Sequence, residues 1–477
     1  MTKALLPFLF LFFSAVVYAQ PDNYWTLGSN TESSIMAGAV VGGGSGITSI
    51  FYNPAGISEI KSNKISMDAS LFQFDNYNYE NTFSKDDINS YLDWQVKPRF
   101  FSFVYQPKND KLKFQVAVFS RSHSFVKLKY FDNQDVVEPV TNINKAYSVQ
   151  SEYEKRYSDY WFGLGSSYEL TDKLVIGVSL LGSGKGFVYK ENYNIDLVDF
   201  NDTLNSSNSI WSYSDRQDLY VVSIISKIGL HYTFSSWTFG ATFTAPSIRL
   251  YGDGYHSRHV RMTNIFNNGI LMPDIIISEQ NNHIVTNFKE PLSVAVGFTH
   301  YNISNKTRFL FSAEYFAPIA KYKSIDNSRV ASIYTDEYSP GSDFLTYYYE
   351  SKSVFNIGFG FKHALKENLF ILTGFKTDFS SNDLEFFSNK NKNLYKISTA
   401  NLYHFSLGVQ FKYKSSTALL GTEYTTGSVK DIYQFSNYSY PGVYSAENYI
   451  ALQEYPQPKM NLYINKVGLY IGLSLNF

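Results

Sequence analysis

The sequence predicts an all-β chain: one transmembrane antiparallel β-barrel of about fourteen strands, with an N-terminal hatch, or plug, inside its lumen. Three observations predict it. The chain ends on a segment in which Val467, Leu469, Ile471, Leu473, Leu475 and Phe477 alternate with Gly468, Tyr470, Gly472, Ser474 and Asn476. A period of two gives a strand with one apolar face and one small or polar face. Aromatic residues are abundant, with 40 Tyr and 40 Phe, yet mean hydropathy is slightly polar at −0.21. A barrel in lipid needs this combination, because half of each strand meets hydrocarbon, half meets a polar lumen, and aromatic girdles mark both interfaces. Finally, short and long connections alternate along the chain.

The N-terminus reads as a secretory signal over residues 1–19. Lys3 supplies charge, Leu5 to Val17 an apolar core, and Val17-Tyr18-Ala19 a small-residue cleavage site. That core is too short for a membrane-spanning helix, and no later run is long enough either. Removing it leaves 458 residues (477 − 19). With no cysteine there is no disulfide framework and no lipoprotein anchor. Net charge is −1, which excludes a nucleic-acid footprint.

Fourteen alternating segments are expected near 64–80, 98–106, 112–131, 150–169, 173–190, 216–233, 236–250, 290–301, 308–322, 350–362, 368–379, 402–413, 416–430 and 464–477. Together they make residues 64–477 the barrel. Phe355, Ile357, Phe359 and Phe361 oppose Asn356, Gly358, Gly360 and Lys362, and the apolar set is expected to face lipid. Short turns fall at places such as 234–236 and 364–368, and long polar loops at 81–97, 132–149, 191–215, 251–289, 323–349, 380–401 and 431–463. A barrel in the outer membrane has short periplasmic turns and long outer loops, whereas a soluble sandwich has no reason to keep that order. Both termini are then expected on the periplasmic side of a Gram-negative outer membrane. Phe477 would present the closing strand to the barrel-assembly machinery.

Residues 20–63 show no strand pattern. They carry Ala37-Gly38-Ala39, the run Gly42-Gly43-Gly44-Ser45-Gly46, and then Asn53-Pro54-Ala55-Gly56. Small side chains let a backbone pack in a confined space, and Asn-Pro favours a turn. A plug docked on the barrel wall is the expected result. Ala-Gly-Ala followed by Asn-Pro-Ala-Gly ahead of the first strand resembles the FadL/TodX family of outer-membrane transporters for long-chain fatty acids and aromatic hydrocarbons. The resemblance implies that Asn53, Pro54, Ala55 and Gly56 form the hatch motif of a fourteen-stranded barrel. Where that family often has an acidic residue before the motif, this chain has Gly43 to Ile50.

The resemblance also implies a kink in the third strand that opens the wall sideways. In 112–131 the expected lipid-facing set is Leu112, Phe114, Val116 and Val118, resuming at Val126, Leu128 and Tyr130. Ser120, Ser122 and Ser124 interrupt it and suit lipid badly. Ser120, Arg121, Ser122 and His123 are therefore the expected lateral opening, with Arg121 and His123 on the lumen side, where they could meet a carboxylate headgroup. A polar patch covered by the plug or by a partner is the other reading.

No catalytic pattern stands out. The 42–46 run lacks the Lys and Ser/Thr of a phosphate loop. Gly182-Ser183-Gly184-Lys185-Gly186 reads as a lumen-lining part of a strand. His256, Arg258, His259 and Arg261 read as a solvated loop able to touch anionic lipid headgroups, since two histidines do not make a metal site. No enzyme, metal or cofactor is expected. The family resemblance implies passive uptake of a hydrophobic small molecule, with Trp211, Phe266 and Leu271 of the outer loops as an apolar landing site, and outer-membrane lipid as a further partner. The alternative is a FadL-like barrel acting in protein secretion or surface attachment, with protein partners at its aromatic outer loops. An open porin fits less well, because a plug would block it.

Overall fold

The computed structural model describes residues 23–25, 30–44, 46–108, 111–137, 144–199, 208–304, 306–327, 343–384, 394–397 and 399–476, without the side chains of 70, 71, 95, 97, 98 and 122. The expected signal segment and Phe477 lie outside the described residues. After a hatch with two short helices, α1 (Thr31–Ile35) and α2 (Ser49–Tyr52), the chain is almost all strand. Eight strands lead: β1 (Lys64–Glu80), β2 (Ile88–Tyr105), β3 (Leu112–Val137), β4 (Asn144–Glu169), β5 (Leu174–Val198), β6 (Ser209–Phe234), β7 (Trp237–Thr244) and β8 (Ile248–Thr263). A small outer group follows, β9 (Phe266–Asn267), β10 (Ile270–Leu271), β11 (Ile275–Asn281) and β12 (Val285–Thr286). Then come β13 (Ser293–Asn302), β14 (Thr307–Phe316), β15 (Ile319–Asp326), β16 (Tyr347–Ser351), β17 (Val354–Ala364) and β18 (Leu369–Asp378). The last are β19 (Asn401–Tyr413), β20 (Ser416–Tyr433), β21 (Val443–Ser445), β22 (Ile450–Gln453) and β23 (Pro458–Asn476).

Fourteen of these close a ring. β1 to β7 are neighbours in order, β7 pairs with β13, and the ring returns through β14, β17, β18, β19, β20 and β23 to β1. All pairings are antiparallel. Each of the fourteen thus has a partner on both sides over at least part of its length, which covers most of the edge that a membrane would not tolerate. The alternation behaves as expected on the C-terminal strands: Phe355 and Phe359, then Tyr403, Phe405 and Leu407, then Leu473 and Leu475 are exposed on the outer face, while Asn356, His404 and Ser474 are buried inside.

The strands run longer than the alternation alone suggests. β3, β4 and β6 have 26 residues each and β5 has 25, so much of the expected loops 132–149 and 191–215 is strand. The reason is a change of environment along each strand. On β6 the outward residues from Phe234 up to Tyr220 are apolar except Ser226, and those beyond are polar at Asp218, Arg216, Ser214 and Ser212. Above the aromatic girdle the outer face meets water, so the lipid signal stops while the hydrogen-bond ladder continues. These extensions stand at the long-loop end, referred to below as the outer end. Their inward side chains, among them Tyr153, Tyr189 and Trp211, pack with Tyr347 of β16 and with Phe435 and Tyr438 into a buried aromatic dome. Such rings bring a large apolar area and favoured edge contacts.

The hatch fills the half of the lumen nearer the short turns. Ile50, Ile57 and Ile60 pack on Phe119, Trp161 and Leu181 of the wall. Ile35, Met36 and Val40 pack on Leu310, Leu372 and Leu419. The first described residue, Asn23, is bridged to Ser380, and its amide donates to the carbonyls of Asp378 and Ala400 at the outer ends of β18 and β19.

Candidate functional site: hatch and wall

Asn53 fastens the turn of the hatch to its surroundings. Its backbone is extended (φ −154°, ψ 104°), the region that a following proline imposes. The side chain then uses both ends. Oδ1 accepts from Ala55 N at 3.1 Å and caps the 3₁₀ turn Pro54–Glu59. Nδ2 donates to Val41 O at 2.8 Å within the hatch and to Leu230 O of β6 at 3.1 Å. Wall glycines make the approach possible. A Cβ on Gly177, Gly229 or Gly240 would collide with Ala55 N, Asn53 Oδ1 or Val41 O respectively. Gly358 and Gly374 likewise admit Ala37 and Ile35, where Ala37 sits in the left-handed region (φ 54°). Gly56 is buried, with Ser49 Oγ and the His231 ring over the place of its missing Cβ. His231 of β6 bonds Val41 O at 3.0 Å, and Lys362 of β17 bonds Glu32 at 2.6 Å.

The wall is interrupted between β2 and β3. The two share a ladder only from Tyr105–Phe114 to Phe100–Phe119. Outward of that point β2 pairs with β1 and β3 with β4, and across the gap the rings of Tyr91 and Phe125 meet edge-on at 5.3 Å. Each strand is bulged beside the last shared pair. Arg99 is skipped in the β1–β2 register and Arg121 in the β3–β4 register, at Ser120/Ser122. A bulge adds one residue, bends the strand and re-aims side chains. Both arginines turn inward and are buried. Arg99 donates to Ser34 Oγ of the hatch at 2.7 Å and lies over the Tyr470 ring. Arg121 lies over Trp161, 2.7 Å from Glu290 and 3.7 Å from Asp159.

The β3–β4 register shifts at Ser120/Ser122, and the faces beyond it differ from the expected ones. The bulge shifts the faces, so Val126 and Leu128 are buried inside and not lipid-facing, and His123 points outward, with Nδ1 3.3 Å from Tyr157 O. Of the expected headgroup pair only Arg121 is on the lumen side, and it already has a carboxylate. The side chain of Ser122 lies outside the described residues. Trp211 is not on a loop; it sits on β6, 2% exposed and 5.7 Å from the Tyr193 ring, because the strand extends into the dome. Phe266 and Leu271 do form an exposed outer hairpin, β9–β10. His256 and Arg258 are buried on β8 against Asp215, not in a solvated loop; only His259 and Arg261 alternate outward.

Residues that the sequence left unmarked complete the site. Glu290 bridges Arg121 and Lys185, the latter at 2.6 Å. A cavity of about 30 Å³ lies between Trp25, Phe51 and Tyr52 of the hatch and Arg121, Lys227 and Glu314 of the wall. Lys227 holds its ammonium 4.5 Å from the centre of the Phe51 ring. The cavity has room for a water or two and no long tail, with Phe51 and Tyr52 lining it on the hatch side. Lys185, between lipid-facing glycines, carries the one visible signal: a charge at an inward position of a membrane strand.

No family model and no curated protein matches the sequence. Solved structures do. A FadL homologue of Pseudomonas aeruginosa superposes with a TM-score of 0.58 at 12% identity, covering 95% of this chain and 100% of that one. The toluene transporter TodX of Pseudomonas putida gives 0.55 at 11% identity, covering 95% and 99%. The toluene transporter TbuX of Ralstonia pickettii gives 0.50 at 11% identity, with the same coverage of 95% and 99%.

This is the FadL/TodX fold. The FadL/TodX likeness spans almost the whole chain, so it agrees with the resemblance read on residues 37–56. A closed barrel with an apolar outer belt belongs in a membrane.

Proposed function

We propose that the chain is a channel for passive uptake of hydrophobic small molecules, long-chain fatty acids or aromatic hydrocarbons. One observation carries this reading: the β2–β3 gap opens beside a hatch that packs on the same two strands. Lipid-facing Leu92, Trp94 and Val96 run along the outer face at one edge of the gap, and Arg99 ties that edge to hatch Ser34. A ligand landing on the exposed Phe266–Leu271 hairpin, or dissolved in the outer leaflet, gains about 25 cal/mol per Å² of apolar area buried. Movement of Phe51 and Tyr52 enlarges the cavity, and the ligand leaves through the gap or past the hatch. The solved relatives named as toluene transporters support a hydrophobic cargo.

A second reading has its own observation. Ile270, Leu271 and Ile276 leave an apolar surface on top of a dome that is otherwise packed, which suits a protein partner in secretion or surface attachment.

Native mass spectrometry of protein extracted gently from its own membrane separates the two. An adduct of fatty-acid or hydrocarbon mass is expected, and it names the cargo class. A ligand-free barrel that carries stoichiometric protein partners would replace uptake with the second reading.

A further inference from the structure

We propose that the outer wall of β3–β6 binds a phosphate-bearing lipid headgroup, a phosphorylated glycolipid of the outer leaflet, through Arg156, Lys190 and Arg216. These side chains point away from the lumen: each occupies an even position on β4, β5 or β6, and the odd positions are buried inside. Their height is set by the girdle. Arg156 stands four residues outward of Tyr160 on one face of β4, and Arg216 four outward of Tyr220 on β6. At about 3.3 Å per residue and a tilt of about 40°, that is roughly 10 Å above the aromatic belt. Aromatic belts lie at the interface, so the cations sit at headgroup level.

Among the described residues, three of the cations here, Lys127, Arg156 and Lys190, share the two carboxylates of Glu152 and Glu154. Lys190 and Arg216 are direct partners across the β5–β6 ladder, and like charges directly opposite destabilise a sheet. The one buried carboxylate here, Glu154, is shared: Arg156 reaches it at 2.8 Å, Lys190 at 3.4 Å and Lys127 at 3.6 Å. Glu152 is taken by Lys127. Asp218 stands beside Arg216 on this face, with Asp135 and Asp196 farther out, and the exposed Lys129 adds a further positive charge. A phosphate carrying 1.5 to 2 negative charges, with strong acceptor oxygens, fits a cluster of several cations better than a carboxylate does. Below the cluster, Gly182 and Gly184 face outward, and a Cβ added there would have nothing closer than 3.8 Å. They correct the lumen-lining reading of this segment and leave room for an acyl chain against the wall.

The test uses the full chain in detergent, titrated with bisphosphorylated lipid A, with its dephosphorylated form and with inorganic phosphate. Stoichiometric binding of lipid A is expected. The pair Lys190→Gln and Arg216→Gln should weaken it at least tenfold, and dephosphorylation should do the same. Equal binding by the variant or by the dephosphorylated lipid overturns the proposal. So does competition by inorganic phosphate at lipid concentrations, which would mark an adventitious ion only. If the variant does not fold, wild-type affinity must fall steeply with added salt; an affinity indifferent to salt also overturns it.

Discussion

Glu290 and Arg121 meet at 2.7 Å inside the lumen, and the contact links two irregular places in the wall. Arg121 is the bulged residue of β3. Glu290 takes its backbone bond from the break between β7 and β8, where its N–H donates to Ser247 Oγ at 2.7 Å. The same carboxylate holds Lys185. Glu290→Gln leaves two buried cations short of their common partner, and breaking such a pair costs about 3–5 kcal/mol. Urea unfolding in detergent should show a loss of that size. A loss below about 1 kcal/mol would show the cluster to be well hydrated.

Arg121→Ala tests the headgroup role separately. Uptake of a carboxylate-bearing tail should fall several-fold while uptake of an uncharged aromatic hydrocarbon holds. His123→Ala should leave both unchanged, because that ring faces outward. Equal uptake of both cargoes by Arg121→Ala removes the headgroup role.

Asn53→Ala removes three hydrogen bonds at the hatch turn. A lost buried hydrogen bond costs about 1–3 kcal/mol when its partner is left unsatisfied. Hydrogen exchange over 41–59 should rise at least tenfold with barrel amides unchanged. Gly240→Val should give the same pattern by a different route, since its side chain would occupy the place of Val41 O. A hatch as protected as wild type in both variants would show that the motif is not what seats it.

The native chain has no cysteine, so Tyr91→Cys with Phe125→Cys places a single pair across the gap. Oxidation should close the gap and cut uptake at least tenfold, with recovery on reduction. Unchanged uptake with the bond formed would route the cargo past the hatch instead.

The dome carries a pH dependence of known sign. Burial works against the charge of Asp215, but Arg258 Nε at 2.7 Å and His256 Nε2 at 3.1 Å outweigh it and hold the carboxyl well below the usual range. A depressed folded value means that the stabilisation is fully present above the unfolded value, about 3.9, and is lost as pH falls through the folded one. Arg258 and His256 also bond Phe344 O and Leu345 O, so the segment leading into β16 depends on this charge. Proteolysis near 343–347 should be flat from pH 7 to about 5 and rise below about 4. In Asp215→Asn it should be faster throughout and should lose that acid step.

The readable parts of the fold are those written by local contact with lipid. Phe355 to Phe361 and Val467 to Leu475 alternate because each side chain meets either hydrocarbon or lumen, and a period of two records that choice. Asn53-Pro54-Ala55-Gly56 was legible because its turn is local. The upper strands were not, since Trp211 and Tyr193 face a dome while their outward neighbours face water, and nothing there resembles a lipid-facing run. The faces beyond Ser120 were lost for a related reason: one bulged residue inverts every side chain after it.

The sequence alone determined the barrel, its strand number and an N-terminal segment inside it. These follow from periodicity, turn chemistry and the order of connections, all short-range properties. Only the tertiary structure decided that Arg121 lies on Glu290, that Asn53 rests on Gly229 and Gly240, and that β2 and β3 part above Phe100–Phe119. Those partners are far apart in the chain and meet because the ring closes, so the charge of one says nothing of the other until closure brings them together.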